Sequence, residues 1–177
     1  MHEKYIFSDI LGGFDMETYN MTPQEAGEHA KNYFRKGMNC TECVMATFLD
    51  IHGSDFPRAV LSLATGFGAG MGHTKNTCGA ITGAVMALSA AVGRKDPLEK
   101  ETMAERVEEL KKIYDIEGRM VEEIKQKYGT LICSELSAPM GEFEGKTRKK
   151  NCMQMIGECT EIAMRYVLEA EQNAKTE

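Results

Sequence analysis

Helix-start chemistry recurs along this chain and constrains its fold more than any other feature. Thr22-Pro23-Gln24-Glu25 joins a capping threonine, a proline at the first helical position and a glutamate at the third. Together these satisfy backbone N–H groups that a helix leaves unpaired. Gly37 closes that helix. Asn39-Cys40-Thr41-Glu42 repeats the logic, with Asn39 as cap and Glu42 in the capping-box position, and opens a helix that runs to Gly53. Ser54 or Asp55 caps a third, which begins near Pro57 and ends at Thr65. Gly66-Phe67-Gly68-Ala69-Gly70-Met71-Gly72 then reads as a loop. Thr77 caps a fourth helix, CGAITGAVMALSAAVG, whose Gly79, Gly83 and Ala87 recur along one face and admit another helix at close range.

Asp96-Pro97 begins a long charged segment to Tyr128 in which Leu98, Met103, Val107, Leu110, Tyr114, Val121 and Ile124 follow helical spacing. The spacing predicts one amphipathic helix or a helical hairpin bent near Gly118. A short helical turn around Cys133 to Leu136 and a last helix from about Asn151 to Gln172 complete the pattern. No segment alternates with period two between turn signals, so strands are not expected. A chain of 177 residues fits one domain with a substantial core. The expected fold is all-α: a single-domain bundle of about six helices over residues 21–177, with a Gly-rich loop before the central CGAxxG helix. Residues 1–20, which carry Gly12 and Gly13, are expected to form an N-terminal arm.

The net charge of -6 argues against nucleic-acid binding, which needs a clustered excess of Lys and Arg. One short basic run, Lys146, Arg148, Lys149 and Lys150, precedes Cys152, where positive charge stabilises a thiolate or an anionic cofactor. Its plainer reading is a solvated loop. No apolar run approaches the roughly 18 residues that span a bilayer, and MHEKYIFSDILGG lacks a basic region followed by a long apolar one. No membrane association and a cytoplasmic location are therefore expected. Structural disulfides are uncommon there, so the six cysteines read as metal ligands, redox-active thiols or buried hydrophobes.

Asn39-Cys40, Thr77-Cys78 and Asn151-Cys152 each place a thiol just after a capping-type residue, and Cys133 follows Thr130 at a looser spacing. At a helix N-terminus a thiol meets the positive end of the macrodipole and unpaired N–H groups, which favour the thiolate. If such termini converge, they build a pocket suited to an iron-sulfur cluster or a tetrahedral metal ion. Cys40-Thr41-Glu42-Cys43 is also a CxxC at a helix start, the arrangement of dithiol oxidoreductases, although no β-α-β pattern surrounds it. Cys159, on the same helix face as Cys152, is expected in the core. GFGAGMG lacks GK[ST], so its glycines are expected to let backbone pass close to a cofactor or a neighbouring helix rather than to cradle phosphate. His29, His52 and His73 lie outside HExxH and CxxCH patterns; His73, in the Gly loop, is the one best placed to join a cysteine site. The thirteen methionines read as core filling.

GMNCTECVMATF, GFGAGMGHTKNTCGAITGAVMAL, Leu131-Ile132-Cys133-Ser134-Glu135-Leu136 and Asn151-Cys152 together resemble the C_GCAxxG_C_C family of redox-active proteins, over roughly residues 24–168. This chain writes Cys78-Gly79 where the family label places Gly before Cys. By position the resemblance implies Cys40, Cys78, Cys133 and Cys152 as the family's four cysteines and leaves Cys43 and Cys159 outside it. The family is similar to part of split-Soret cytochrome c, a dimeric haem protein that also carries an iron-sulfur centre. No CxxCH is present, so no covalent haem is expected. The resemblance further implies an unidentified redox partner protein and leaves a homodimer open.

The leading expectation is electron transfer or redox sensing through a four-cysteine centre of Cys40, Cys78, Cys133 and Cys152, lined by Gly79 and Gly83. It would hold an iron-sulfur cluster or, failing that, a single zinc or iron ion. The alternative is thiol-disulfide exchange, with Cys40 attacking and Cys43 or another neighbouring thiol resolving. A third is a helical adaptor with inert cysteines and the Leu98 to Tyr128 helix as its partner surface. The centre predicts at least three of the four sulfurs within about 10 Å, each in or near the first turn of a different helix. Its walls are expected to be the Gly66 to Gly72 loop and the Gly79/Gly83 face.

Overall fold

The computed structural model describes residues 21–52 and 56–176. The expected arm over 1–20, the closing Gly53 and the capping Ser54 or Asp55 lie outside the described residues. The architecture is all-α, as the helix-start chemistry implies. In chain order the helices are α1 (Pro23–Arg35), α2 (Cys40–His52), α3 (Leu61–Thr65), α4 (Gly79–Val92), α5 (Met103–Tyr128), α6 (Cys133–Ser137) and α7 (Lys146–Thr176). Short 3-10 turns precede α3 at Arg58–Val60 and follow α6 at Ala138–Met140. Among the described residues no strand forms, and Thr77 and Ile132 make an isolated antiparallel bridge. No helix there is long and apolar enough to cross a membrane.

Local chemistry explains most boundaries. Thr22 and Glu25 form a reciprocal capping box at α1, with the Glu25 N–H donating to Thr22 Oγ1 at 3.2 Å and the Thr22 N–H to Glu25 Oε2 at 2.8 Å. Asn39 starts α2 by accepting from the Thr41 and Glu42 N–H groups at 3.0 and 3.1 Å.

Two expected boundaries are corrected. The long helix begins at Met103 rather than at Asp96-Pro97, because Thr102 and Glu105 form a second capping box. Residues 96–102 instead fold back onto it, with the Arg106 guanidinium donating to the Lys100 carbonyl at 2.8 Å. Gly118 does not bend α5, which runs unbroken to a left-handed cap at Gly129. The last helix begins at Lys146, not near Asn151, since the basic run is its first turn: the Lys149 N–H already donates to the Gly145 carbonyl at 3.1 Å.

The core lies where α1, α2, α4 and α7 meet, with Met120 and Ile124 of α5 closing one side. The small-residue face of α4 packs on α2. A methyl group at Gly83 would sit 2.9 Å from Val44 Cβ and 3.2 Å from the Thr41 backbone, so a side chain there would push the two helices apart. Gly79 faces the Cys40 end of the same helix, and Thr41 Oγ1 donates to its carbonyl at 2.8 Å. The α2 and α4 helix starts are thereby pinned side by side.

Candidate redox site

Three of the four expected cysteines stand at the beginnings of elements. Cys40 opens α2, Cys78 is the residue before α4, and Cys133 opens α6. Cys152 differs: with α7 starting at Lys146 it lies in the second turn, so the expectation that Asn151 caps a helix at this cysteine is corrected. Thr77 is likewise not the cap of α4. It pairs with Ile132, and Cys78 itself takes the capping position.

That pairing ties two cysteines together through the backbone. The Cys78 N–H donates to the Leu131 carbonyl at 2.9 Å, and the Cys133 N–H to the Asn76 carbonyl at 2.7 Å. Residues far apart in sequence are thus strapped antiparallel, a contact that no local pattern announces.

Above this strap the Gly loop adopts an unusual conformation. Ala69, Gly70, Met71, Gly72 and His73 have φ of 51, 75, 61, 62 and 68°, and Lys75 follows at 64°. A left-handed run costs roughly 1–2 kcal/mol for each non-glycine residue, so the surroundings must hold it. They do so through the Met71 N–H to the Phe67 carbonyl at 3.1 Å, Lys75 N–H to Ala69 at 3.2 Å and Asn76 N–H to Gly70 at 3.1 Å. The conformation aims the Ala69 N–H at Cys40, where it favours the ionised sulfur. The glycines announce a loop but not its handedness, because Ala, Met and His carry no signal for it.

The four thiols act on one another's acidity, and the same influence reaches further: Cys43 feels the charge of Cys40, and Cys159 those of Cys78 and Cys40. Each of Cys40, Cys78, Cys133 and Cys152 is buried, with exposures of 8, 6, 4 and 8 %. Cys40 and Cys152 are each the largest influence on the other's acidity. Cys78 feels the charges of Cys40 and Cys133, and Cys152 those of Cys78 and Cys133.

Acidity within the set is uneven. The hydrogen bond to Cys152, reinforced by burial, pushes Cys40 well above the ordinary thiol range. The same bond holds Cys152 below it, and the Arg148 guanidinium adds to that effect. Burial pushes Cys78 up to about 12, with the charges of Cys40 and Cys133 adding and the Ala80 and Ile81 N–H groups opposing.

The other two cysteines are elsewhere. Cys43 and Cys159 have no exposed surface, and burial raises both thiols. Cys43 donates to the Met38 carbonyl at 3.6 Å, and the thiol that acts most strongly on Cys40 is Cys152 rather than its CxxC neighbour.

The histidines bind carboxylates. His29 meets Asp50 at 3.0 Å, His52 meets Glu171 at 2.7 Å, and exposed His73 meets Glu144 at 3.1 Å. Among the described residues no group of three or more His, Cys, Asp or Glu side chains is arranged to hold a metal ion.

Arg148, one member of the basic run, is the site's most unusual neighbour. It is 7 % exposed, its guanidinium lies 3.8 Å over the Phe143 ring, and its Nε has no hydrogen-bond partner. The sequence singles out the run but not which of its members turns inward.

A family model described as "Putative redox-active protein (C_GCAxxG_C_C)" matches residues 38–166. No curated protein and no solved structure gives a significant match.

Proposed function

Since the chain belongs to the C_GCAxxG_C_C family of redox-active proteins, we propose that Cys40, Cys78, Cys133 and Cys152 act as one redox centre that transfers or senses electrons by holding an iron-sulfur cluster. The observation that carries this reading is that four elements each bury one of these thiols, in a protein whose basic run also buries a guanidinium without a carboxylate partner.

The residues fit such a group. Four thiols supply the donor set, and backbone N–H groups of Ala69 and Ala80 favour the ionised forms of Cys40 and Cys78. The low exposure of all four excludes bulk water. When bound, an iron-sulfur cluster supplies reversible one-electron chemistry.

Anaerobic purification and reconstitution test the reading. Iron, acid-labile sulfide and visible charge-transfer absorbance are expected, reduced by Ser at any of the four cysteines and retained in Cys43→Ser. A reconstituted protein without iron, sulfide or zinc would overturn it.

The unequal acidity of the Cys40 and Cys152 pair favours a second reading, thiol-disulfide exchange. The Cys152 thiolate would attack one sulfur of a substrate disulfide and release the other as thiolate. Cys40, giving up its proton, would then attack Cys152 Sγ and free the second substrate thiol. Two electrons pass to the substrate, and a Cys40–Cys152 disulfide remains. Cys133→Ser separates the readings: exchange turnover should survive it, and cluster retention should not.

A further inference from the structure

We propose that Arg148 is the fixed counter-charge of the four-cysteine centre and sets how readily that centre accepts electrons. The inference rests on the reading that these cysteines form one redox centre, and it concerns a residue outside the set.

Arg148 breaks three local rules together. It is a nearly fully buried cation, and among the described residues no carboxylate pairs with it; Phe143 offers only the face of its ring. It also occupies the third position of α7, at the positive end of the helix. The corresponding residue is Glu25 in α1 and Glu105 in α5, each hydrogen-bonded back to its cap. The first turn of α7 holds no acidic residue. Lys146, Lys149 and Lys150 add like charge but are exposed, so water screens them.

A buried cation in this position is stable only opposite an anion. Glu144, which feels the Arg148 charge, is exposed and engaged by His73 and Lys149. What remains is the centre itself: Cys152 lies one turn further along α7 on the same face, and the Arg148 charge reaches both Cys152 and Cys40. Each electron delivered by a one-electron reductant adds one negative charge to the centre. Arg148 offsets that charge without a proton having to follow.

The test is a mediated anaerobic titration of the reconstituted protein with dithionite, in wild type, Arg148→Gln, Arg148→Lys and the exposed control Lys149→Gln. If the wild type retains no iron, the Cys40/Cys152 dithiol-disulfide couple is titrated in a thiol redox buffer and read by alkylation. Arg148→Gln is expected to weaken reduction of the centre about tenfold, which is 59 mV for a one-electron couple and about 30 mV for the two-electron dithiol couple. Arg148→Lys and Lys149→Gln should stay within about threefold of wild type, because charge is kept in one and screened in the other.

A wild-type potential in Arg148→Gln would overturn the inference while leaving the redox centre standing. A tenfold loss in Arg148→Lys would also overturn it, and this variant decides the matter should Arg148→Gln fail to fold. If the wild type shows neither couple, the proposed function falls first and the inference falls with it.

Discussion

The outer cysteines and the inner pair offer a controlled comparison within one chain. Cys40, Cys78, Cys133 and Cys152 lie at 4–8 % exposure, whereas Cys43 and Cys159 lie at 0 %, although Cys40, Cys78 and Cys133 share the packed core with that inner pair. All six are buried, yet Cys152 is shifted below the ordinary thiol range while Cys40, Cys43, Cys78 and Cys159 are shifted above it. Position at a helix start does not explain this. Cys78 occupies the capping position of α4, and burial still pushes it up to about 12. Cys152, a turn deeper in its helix, goes down because Cys40 donates to it and Arg148 stands beside it. Neighbours outweigh the macrodipole once a thiol is desolvated.

Alkylation of the reduced, cofactor-free protein probes that contrast most sharply. At neutral pH Cys152 should react at least about 100-fold faster than Cys43 and Cys159, because only the thiolate is nucleophilic and each pKa unit is worth a factor of ten. Peptide mapping after short labelling checks this, and equal labelling of inner and outer thiols would break the comparison.

The inner pair should reveal itself at alkaline pH. Both thiols are raised above the ordinary value of 9.0, so above that pH the unfolded chain releases protons that the native one keeps. The native state then binds more protons, and stability falls as pH rises, with a slope of up to about 2.7 kcal/mol per pH unit for two groups. Below the unfolded value their contribution is fully present. Denaturant titrations across this range should show a slope to which Cys40 and Cys78, also raised, contribute, and the double change Cys43→Ala and Cys159→Ala should remove the inner pair's share of it.

Cys159→Ser is expected to cost about 2 kcal/mol, since a hydroxyl at 0 % exposure is left in a site built for sulfur. Its midpoint in urea should fall while iron binding persists in the protein that remains folded. The reverse result, intact stability with lost iron, would move Cys159 into the outer set.

Gly83→Ala has the smallest expected effect, about 1 kcal/mol net. Overpacking against Val44 at 2.9 Å is partly offset by the better helix propensity of alanine. It should leave Cys152 alkylation unchanged, because the added methyl meets Val44 and Thr41 rather than a sulfur. Gly79→Ala, whose methyl would stand 3.1 Å from Cys40 Cβ, should disturb both stability and reactivity.

What the sequence determined by itself is what local rules govern. Thr22 with Glu25 and Asn39 with Glu42 act within a single turn, so the residues alone locate the starts of α1 and α2. The Gly79/Gly83 face announces a close helix contact because a missing side chain leaves the same space whichever helix fills it. The start of α7 is different: a basic run reads as loop, and here its backbone is helical and one of its members is buried. Only tertiary structure decided that Cys40 meets Cys152 rather than Cys43, that Ala69 to His73 turn left-handed, and that Arg148 faces the thiols. Thiol acidity depends on desolvation and on charges brought from distant segments, and neither is a property of a sequence window.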